Sequence, residues 1–163
     1  MRITGLKSWK TNLMASISEE IQQKEFESEY NKLLVNVLFT NSWINGQQNR
    51  LFKTHGITTQ QFNVLRILRG QYPNVASVNL LKDRMIDKMS NVSRIIDKLK
   101  SKDLVSRKLC KADRRQVDVK ITTKGLDLLQ ILDAEIADWE KNLHNISEKD
   151  ATIASDILDR WRG

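Results

Sequence analysis

Apolar residues along this chain recur first at steps of three, four and seven: Phe26, Tyr30, Leu33, Leu34, Val37, Leu38, Ile44, Leu51 and Phe52. That spacing puts them on one stripe of a helix, because an α-helix brings residues three and four apart onto the same face. Ser18, followed by Glu19 and Glu20, has the makeup of an N-cap and acidic first turn, so the pattern predicts one long helix from about residue 19 to His55-Gly56. Thr58 and Gln61 have capping-box spacing and open a second helix with Phe62, Leu65 and Leu68 inside, closing before Gly70 and Pro73. Ser77 caps a short helix through Met85, with Leu80 and Leu81 facing inward. After a turn at residues 86–88 another helix starts near Ser90. In this last helix Val92, Ile95, Ile96 and Leu99 share one face, and Asn91, Arg94 and Lys98 share the opposite one.

After Lys102 the period shortens to two. Leu104-Val105-Ser106-Arg107 and Val117-Asp118-Val119-Lys120-Ile121 read as strands joined by the charged segment 111–116, a basic β-hairpin. Helical spacing then returns. Thr122 or Thr123 caps a helix carrying Leu129, Leu132, Ile136, Trp139 and Leu143, and Ser147 with Asp150 opens a final helix carrying Ile153, Ile157, Leu158 and Trp161. Helices at both ends are left with apolar stripes to bury, and a second copy of the chain is the economical cover.

Charge sharpens the picture once it is located. Between Ser77 and Lys124 stand fourteen basic residues against six acidic ones, a net +8, while the rest of the 163 residues holds thirteen basic and fourteen acidic. The positive field therefore sits on the helix-turn-helix and hairpin, as a polyanion footprint would. A chain of this length builds one sizeable core, or a reading lobe plus a dimerising lobe. The single Cys110 allows no internal disulfide, no Cys/His cluster suggests a metal, and no apolar run approaches a membrane span, so a soluble cytoplasmic protein is expected. His55 and His144 stand alone, no glycine-rich phosphate loop is present, and no nucleophile, base and orienting acid are set together by a motif. The expectation is no enzyme, no cofactor and no metal.

Three stretches carry a family resemblance. Gly56-Ile57-Thr58-Thr59-Gln60-Gln61-Phe62-Asn63-Val64-Leu65 resembles the opening of the second helix of bacterial MarR-type regulators. Asn91-Val92-Ser93-Arg94-Ile95-Ile96-Asp97-Lys98-Leu99 resembles their recognition helix. Leu104-Val105, Asp113-Arg114-Arg115 and Ile121-Thr122-Thr123-Lys124-Gly125 resemble their wing and its exit. The similarity runs from about Tyr30 to Leu143. It departs at Asp103, where many members have glycine, and residues 1–18 form an extension outside the pattern.

The resemblance implies a mainly α fold with a small β-hairpin wing, in one domain over residues 1–163. Residues 57–122 would form a winged helix-turn-helix lobe, and residues 19–55 and 123–163 would supply helices of a dimerisation lobe. It implies a homodimer on double-stranded DNA, a regulator, read here as a repressor, at a pseudo-palindromic operator. A small aromatic effector is a further partner it suggests. Ser90, Asn91, Ser93 and Arg94 become candidates for base edges and Lys98 for phosphate. Arg114 or Arg115 would enter a narrow minor groove, and Asp113 would shape the wing turn. Ser90 is equally a candidate helix cap, and Trp43, Trp139 and Trp161 read as core or interface residues rather than effector contacts. Cys110 lies between Lys108 and Lys111, which favour a thiolate, yet it has no resolving partner and reads as inert. The rival reading is a winged-helix module for RNA or a protein partner.

Overall fold

A computed structural model describes residues 15–109 and 117–163, which fall into two compact units divided between Arg50 and Leu51. In the first unit α1 (Ile17–Glu20) is a single turn. Ser16 caps it: its hydroxyl accepts from the Glu19 N–H at 3.4 Å, and Glu19 Oε2 accepts from the Ser16 N–H at 2.6 Å. That hydrogen bonding holds the Glu19 carboxyl below the usual glutamate range. The long helix expected from residue 19 is thus corrected. Gln22 turns left-handed (φ 56°), its N–H and that of Gln23 bond back to the Glu19 and Ser18 carbonyls, and the chain leaves the helix. Helix resumes as α2 (Glu29–Thr54) once Ser28 Oγ takes the Asn31 N–H at 3.1 Å. The periodicity was real, but two serine caps divide it.

The second unit begins with the last turn of α2, which ends in a Schellman motif. The Ile57 N–H bonds the Phe52 carbonyl, the Gly56 N–H bonds that of Lys53, and Gly56 takes φ 67°. Thr58 and Gln61 then form the expected reciprocal capping box of α3 (Thr59–Arg69). The aliphatic part of Gln61 is taken into the core with it, and the Lys102 ammonium donates both to its Oε1 and to the Gly56 carbonyl.

A two-residue strand, β1 (Ala76–Ser77), precedes α4 (Val78–Arg84), and α5 (Val92–Lys100) follows. β2 (Val105–Leu109) and β3 (Val117–Ile121) pair antiparallel from Val105 opposite Ile121 to Leu109 opposite Val117. β1 joins the other edge of β3, Ala76 opposite Val119, so the hairpin belongs to a three-stranded sheet in the order β1-β3-β2. No periodicity announced β1, because two residues carry none. α6 (Thr123–Lys141) and α7 (Glu148–Arg162) complete the chain. Leu143, expected on the stripe of α6, lies beyond its end at Asn142.

The core of this unit is one cluster. Phe52 from α2, Val64, Leu65 and Leu68 from α3, Leu81 from α4, Ile96 and Leu99 from α5, Val119 and Ile121 from β3, and Leu129 and Leu132 from α6 are all buried. Phe52 stacks on Phe62 at 4.4 Å, and the Arg66 guanidinium covers Phe62. A bidentate pair joins α3 to α6, with Arg69 Nη1 and Nη2 on the Asp133 carboxylate at 2.5 and 3.0 Å. The Arg69 bonds and the nearby Arg66 charge hold the Asp133 carboxyl below its ordinary value. His55 Nε2 meets Glu135 at 2.9 Å.

Candidate nucleic-acid interface

α5 is a helix with two chemically opposite faces. Val92, Ile96 and Leu99 are buried, whereas Asn91, Ser93, Arg94, Asp97 and Lys98 are exposed. Burial of the first set fixes the rotation of the helix about its axis, and that rotation is what presents the second set to solvent. The N-cap is Asn91, whose Oδ1 accepts from the Arg94 N–H at 3.1 Å. The start near Ser90 is corrected by one residue. Ser90 instead belongs to the turn before the helix, where its hydroxyl donates to Asp87 Oδ2 at 2.8 Å. Asp87 gathers this turn with its two oxygens, accepting from Ser90 Oγ with one and from the Met89 N–H, at 3.0 Å, with the other.

Ser90, Asn91, Arg94 and Lys98 line one open hollow of about 390 Å³ together with Thr58 and Gln60 from the start of α3, and with Asp87. Ser93 is exposed but does not line it. Arg94 and Lys98 are one helical turn apart on this wall, so two cations face the same space. Asp97, the acidic residue of the exposed face, is neutralised by Arg107 of β2, Nη1 to Oδ1 2.6 Å. That pair also ties the wing strand to α5. The sequence reading missed it, and the signal available was only an Asp and an Arg ten residues apart. Thr58 and Gln60 were likewise read as helix-opening residues and nothing more.

The turn from α5 into the wing keeps the geometry that a glycine would suit. Asp103 is left-handed (φ 59°), with the Leu104 N–H on the Leu99 carbonyl and the Asp103 N–H on that of Lys100. Thr122 closes the far end of the wing. Its hydroxyl donates to the Asp103 carbonyl at 2.7 Å and accepts from the Gly125 N–H at 3.1 Å, which selects Thr122 over Thr123 as the cap of α6. Gly125 packs directly on this junction. A Cβ there would overlap the Leu104 carbonyl oxygen and lie 2.7 Å from Ile121 Cγ1. Cys110, Asp113, Arg114 and Arg115 lie outside the described residues.

Residues 57–117, the span from the start of α3 to the wing, match the model of the MarR family. The chain belongs to the MarR family. Over 120 residues it is 28% identical to the HTH-type transcriptional regulator MhqR of Bacillus subtilis, covering 72% of this chain and 80% of that protein. A MarR-like transcription regulator from Bacillus cereus superposes with a TM-score of 0.73 at 21% identity, over 82% of this chain and 96% of the other. The organohalide-sensing regulator RdhR, solved in its 2,4-dichlorophenol-bound form, gives 0.73 at 19% identity, over 86% and 85%. At such identities the two structures speak for the fold, which is the MarR-like winged helix-turn-helix. The protein is a MarR-type DNA-binding transcriptional regulator. MarR proteins are regulators and not enzymes, and they bind DNA as dimers. Among the described residues, no group of three His, Cys, Asp or Glu side chains could hold a metal ion, and no helix is long and apolar enough to cross a membrane.

Proposed function

We propose that two copies of this MarR-family chain bind a pseudo-palindromic duplex site in the cytoplasm, each inserting α5 into a major groove. The observation that carries this reading is the hollow on α5, where Asn91, Arg94 and Lys98 face one space while Asp97 is neutralised by Arg107. Arg94 has the fork that matches a guanine edge, and Lys98, a turn further along, reaches phosphate. Asn91 has its oxygen committed to the cap, so a base contact from it runs through its amide donor. Ser90 and Ser93 supply short hydroxyls beside the helix. Arg114 or Arg115 enters the flanking minor groove, with Asp113 shaping the wing turn.

Residues 57–122 form the DNA lobe on this reading, and residues 19–55 with 123–163 the dimerising one. Seated across a promoter, such a dimer excludes polymerase and acts as a repressor. Release by a small aromatic compound is supported by the relative solved with 2,4-dichlorophenol.

Selection of fragments from random duplex DNA tests the reading and yields the operator. On the selected duplex, Arg94→Ala should cost about ten- to hundredfold in specific binding and much less in nonspecific binding. Lys98→Ala should weaken both alike and make the salt dependence shallower by about one unit per site. Wild-type affinity and selectivity in both folded variants, or binding confined to RNA or a protein partner, would overturn it.

A further inference from the structure

The turn between α4 and α5 holds the two most exposed large apolar side chains among the described residues, Met89 at 92% and Ile86 at 87%. Single apolar residues on a surface are ordinary. These two differ because the turn that carries them is clamped on every side. The Ile86 N–H donates to Asn63 Oδ1 of α3 at 3.0 Å, the Met89 N–H to Asp87 Oδ1 at 3.0 Å, the Ser90 hydroxyl to Asp87 Oδ2 at 2.8 Å, and Lys88 Nζ to the Asp83 carbonyl at 2.5 Å. The backbone is held while the apolar side chains stand in water, two and five residues ahead of the cap of α5.

We propose that Met89 reads the C5-methyl group of a thymine in the major groove of each half-site. The inference rests on the reading of α5 as the groove-entering helix, whose N-terminal end meets base edges. What surrounds the apolar tip selects the occupant. Arg84, Lys88 and Arg94 outnumber Asp83 and Asp87 around it in sequence, and Asp87 already accepts from the Met89 N–H and Ser90 Oγ, so an apolar protein surface would have to bury charges with a cationic excess. A duplex offers phosphates to those cations and, within the major groove, one apolar group, the thymine methyl. Met89 is the reader rather than Ile86 because it stands nearer the cap of α5, two residues before it rather than five, and because its unbranched thioether chain adapts to the methyl it meets.

The test uses the full-length protein and the duplex selected from the random pool. Thymines in each half-site are replaced one at a time by deoxyuridine, which deletes the methyl and leaves base pairing unchanged. One position per half-site should weaken wild-type binding about fourfold, and both together about fifteenfold, the worth of one or two buried carbon groups. Met89→Ser, checked for its helix content by circular dichroism, should bind the thymine duplex less tightly and lose the discrimination against deoxyuridine. Met89→Leu should restore it.

A wild type indifferent to every replacement would overturn the inference while leaving the role of α5 intact. A Met89→Ser protein that still discriminates fourfold would do the same. Failure to enrich any duplex would instead remove the reading of α5 on which the inference stands.

Discussion

α5 and α7 are both amphipathic helices of the same chain, and the protein treats them differently. In α5 the apolar residues Val92, Ile96 and Leu99 are buried against α3, α4 and the sheet. In α7 no residue is buried: Ile153 is 46% exposed, and Ile157 and Trp161 are 40% exposed. A covered stripe has found its partner within the chain and fixes a face for use. An uncovered one of comparable makeup asks for a partner from outside, since a contiguous apolar face left in water costs about 25 cal/mol per Å². The MarR family's habit of binding DNA as dimers and this bare face point the same way.

The sharpest way to break the comparison is to truncate one side chain on each helix. Ile96→Ala should destabilise the folded protein by about 2–5 kcal/mol in chemical denaturation, because it opens a cavity in a closed core. Ile157→Ala should leave denaturation of a dilute sample almost unchanged, and should instead raise the concentration at which light scattering reports a species near twice 18.9 kDa. Equal effects of the two on dilute samples would show that the face of α7 is covered within one chain.

A smaller effect is expected at Gly125, in the closed region. Alanine there forces a methyl against the Leu104 carbonyl and Ile121, and should cost about 1–3 kcal/mol in denaturation while sparing dimerisation. Because the junction sets the exit of the wing, DNA affinity should fall with it.

The smallest effect concerns acid. Asp133 has its carboxyl held below the ordinary value by Arg69, so the folded protein binds that proton less readily than the unfolded chain. Its contribution is therefore complete above about pH 4 and is lost as pH falls further, through the depressed value. The pair is partly exposed, so about 0.5–1 kcal/mol is at stake. Asp133→Asn should remove that part of the acid sensitivity in denaturation between pH 5 and pH 3, both chosen to bracket about pH 4.

Local chemistry made most of the elements legible. Thr58 and Gln61, Ser77, and Ser147 with Asp150 are caps that work within four residues, and the alternation of 117–121 is a strand signature, so periodicity and capping found α3, α4, α7 and β3 unaided. The exposed trio Asn91, Arg94 and Lys98 was equally readable, because the spacing that buries Val92, Ile96 and Leu99 dictates what lies opposite. Errors arose where two local signals competed. Ser16 with Glu19 took the cap assigned to Ser18, and Asn91, whose side-chain oxygen accepts the Arg94 N–H, took the one offered by Ser90.

Tertiary structure alone decided the rest, since it concerns residues far apart in sequence. β1 exists because Ala76 and Ser77 meet Val119 and Asp118, more than forty residues away. Asp97 is neutralised because the folded wing brings Arg107 to it, and Gly125 is required because α6 begins on the Leu104 carbonyl. The reach of the physics draws the boundary: periodicity and capping act over a few residues and are written in the chain, while pairing, neutralisation and close approach appear only when separate segments are packed together.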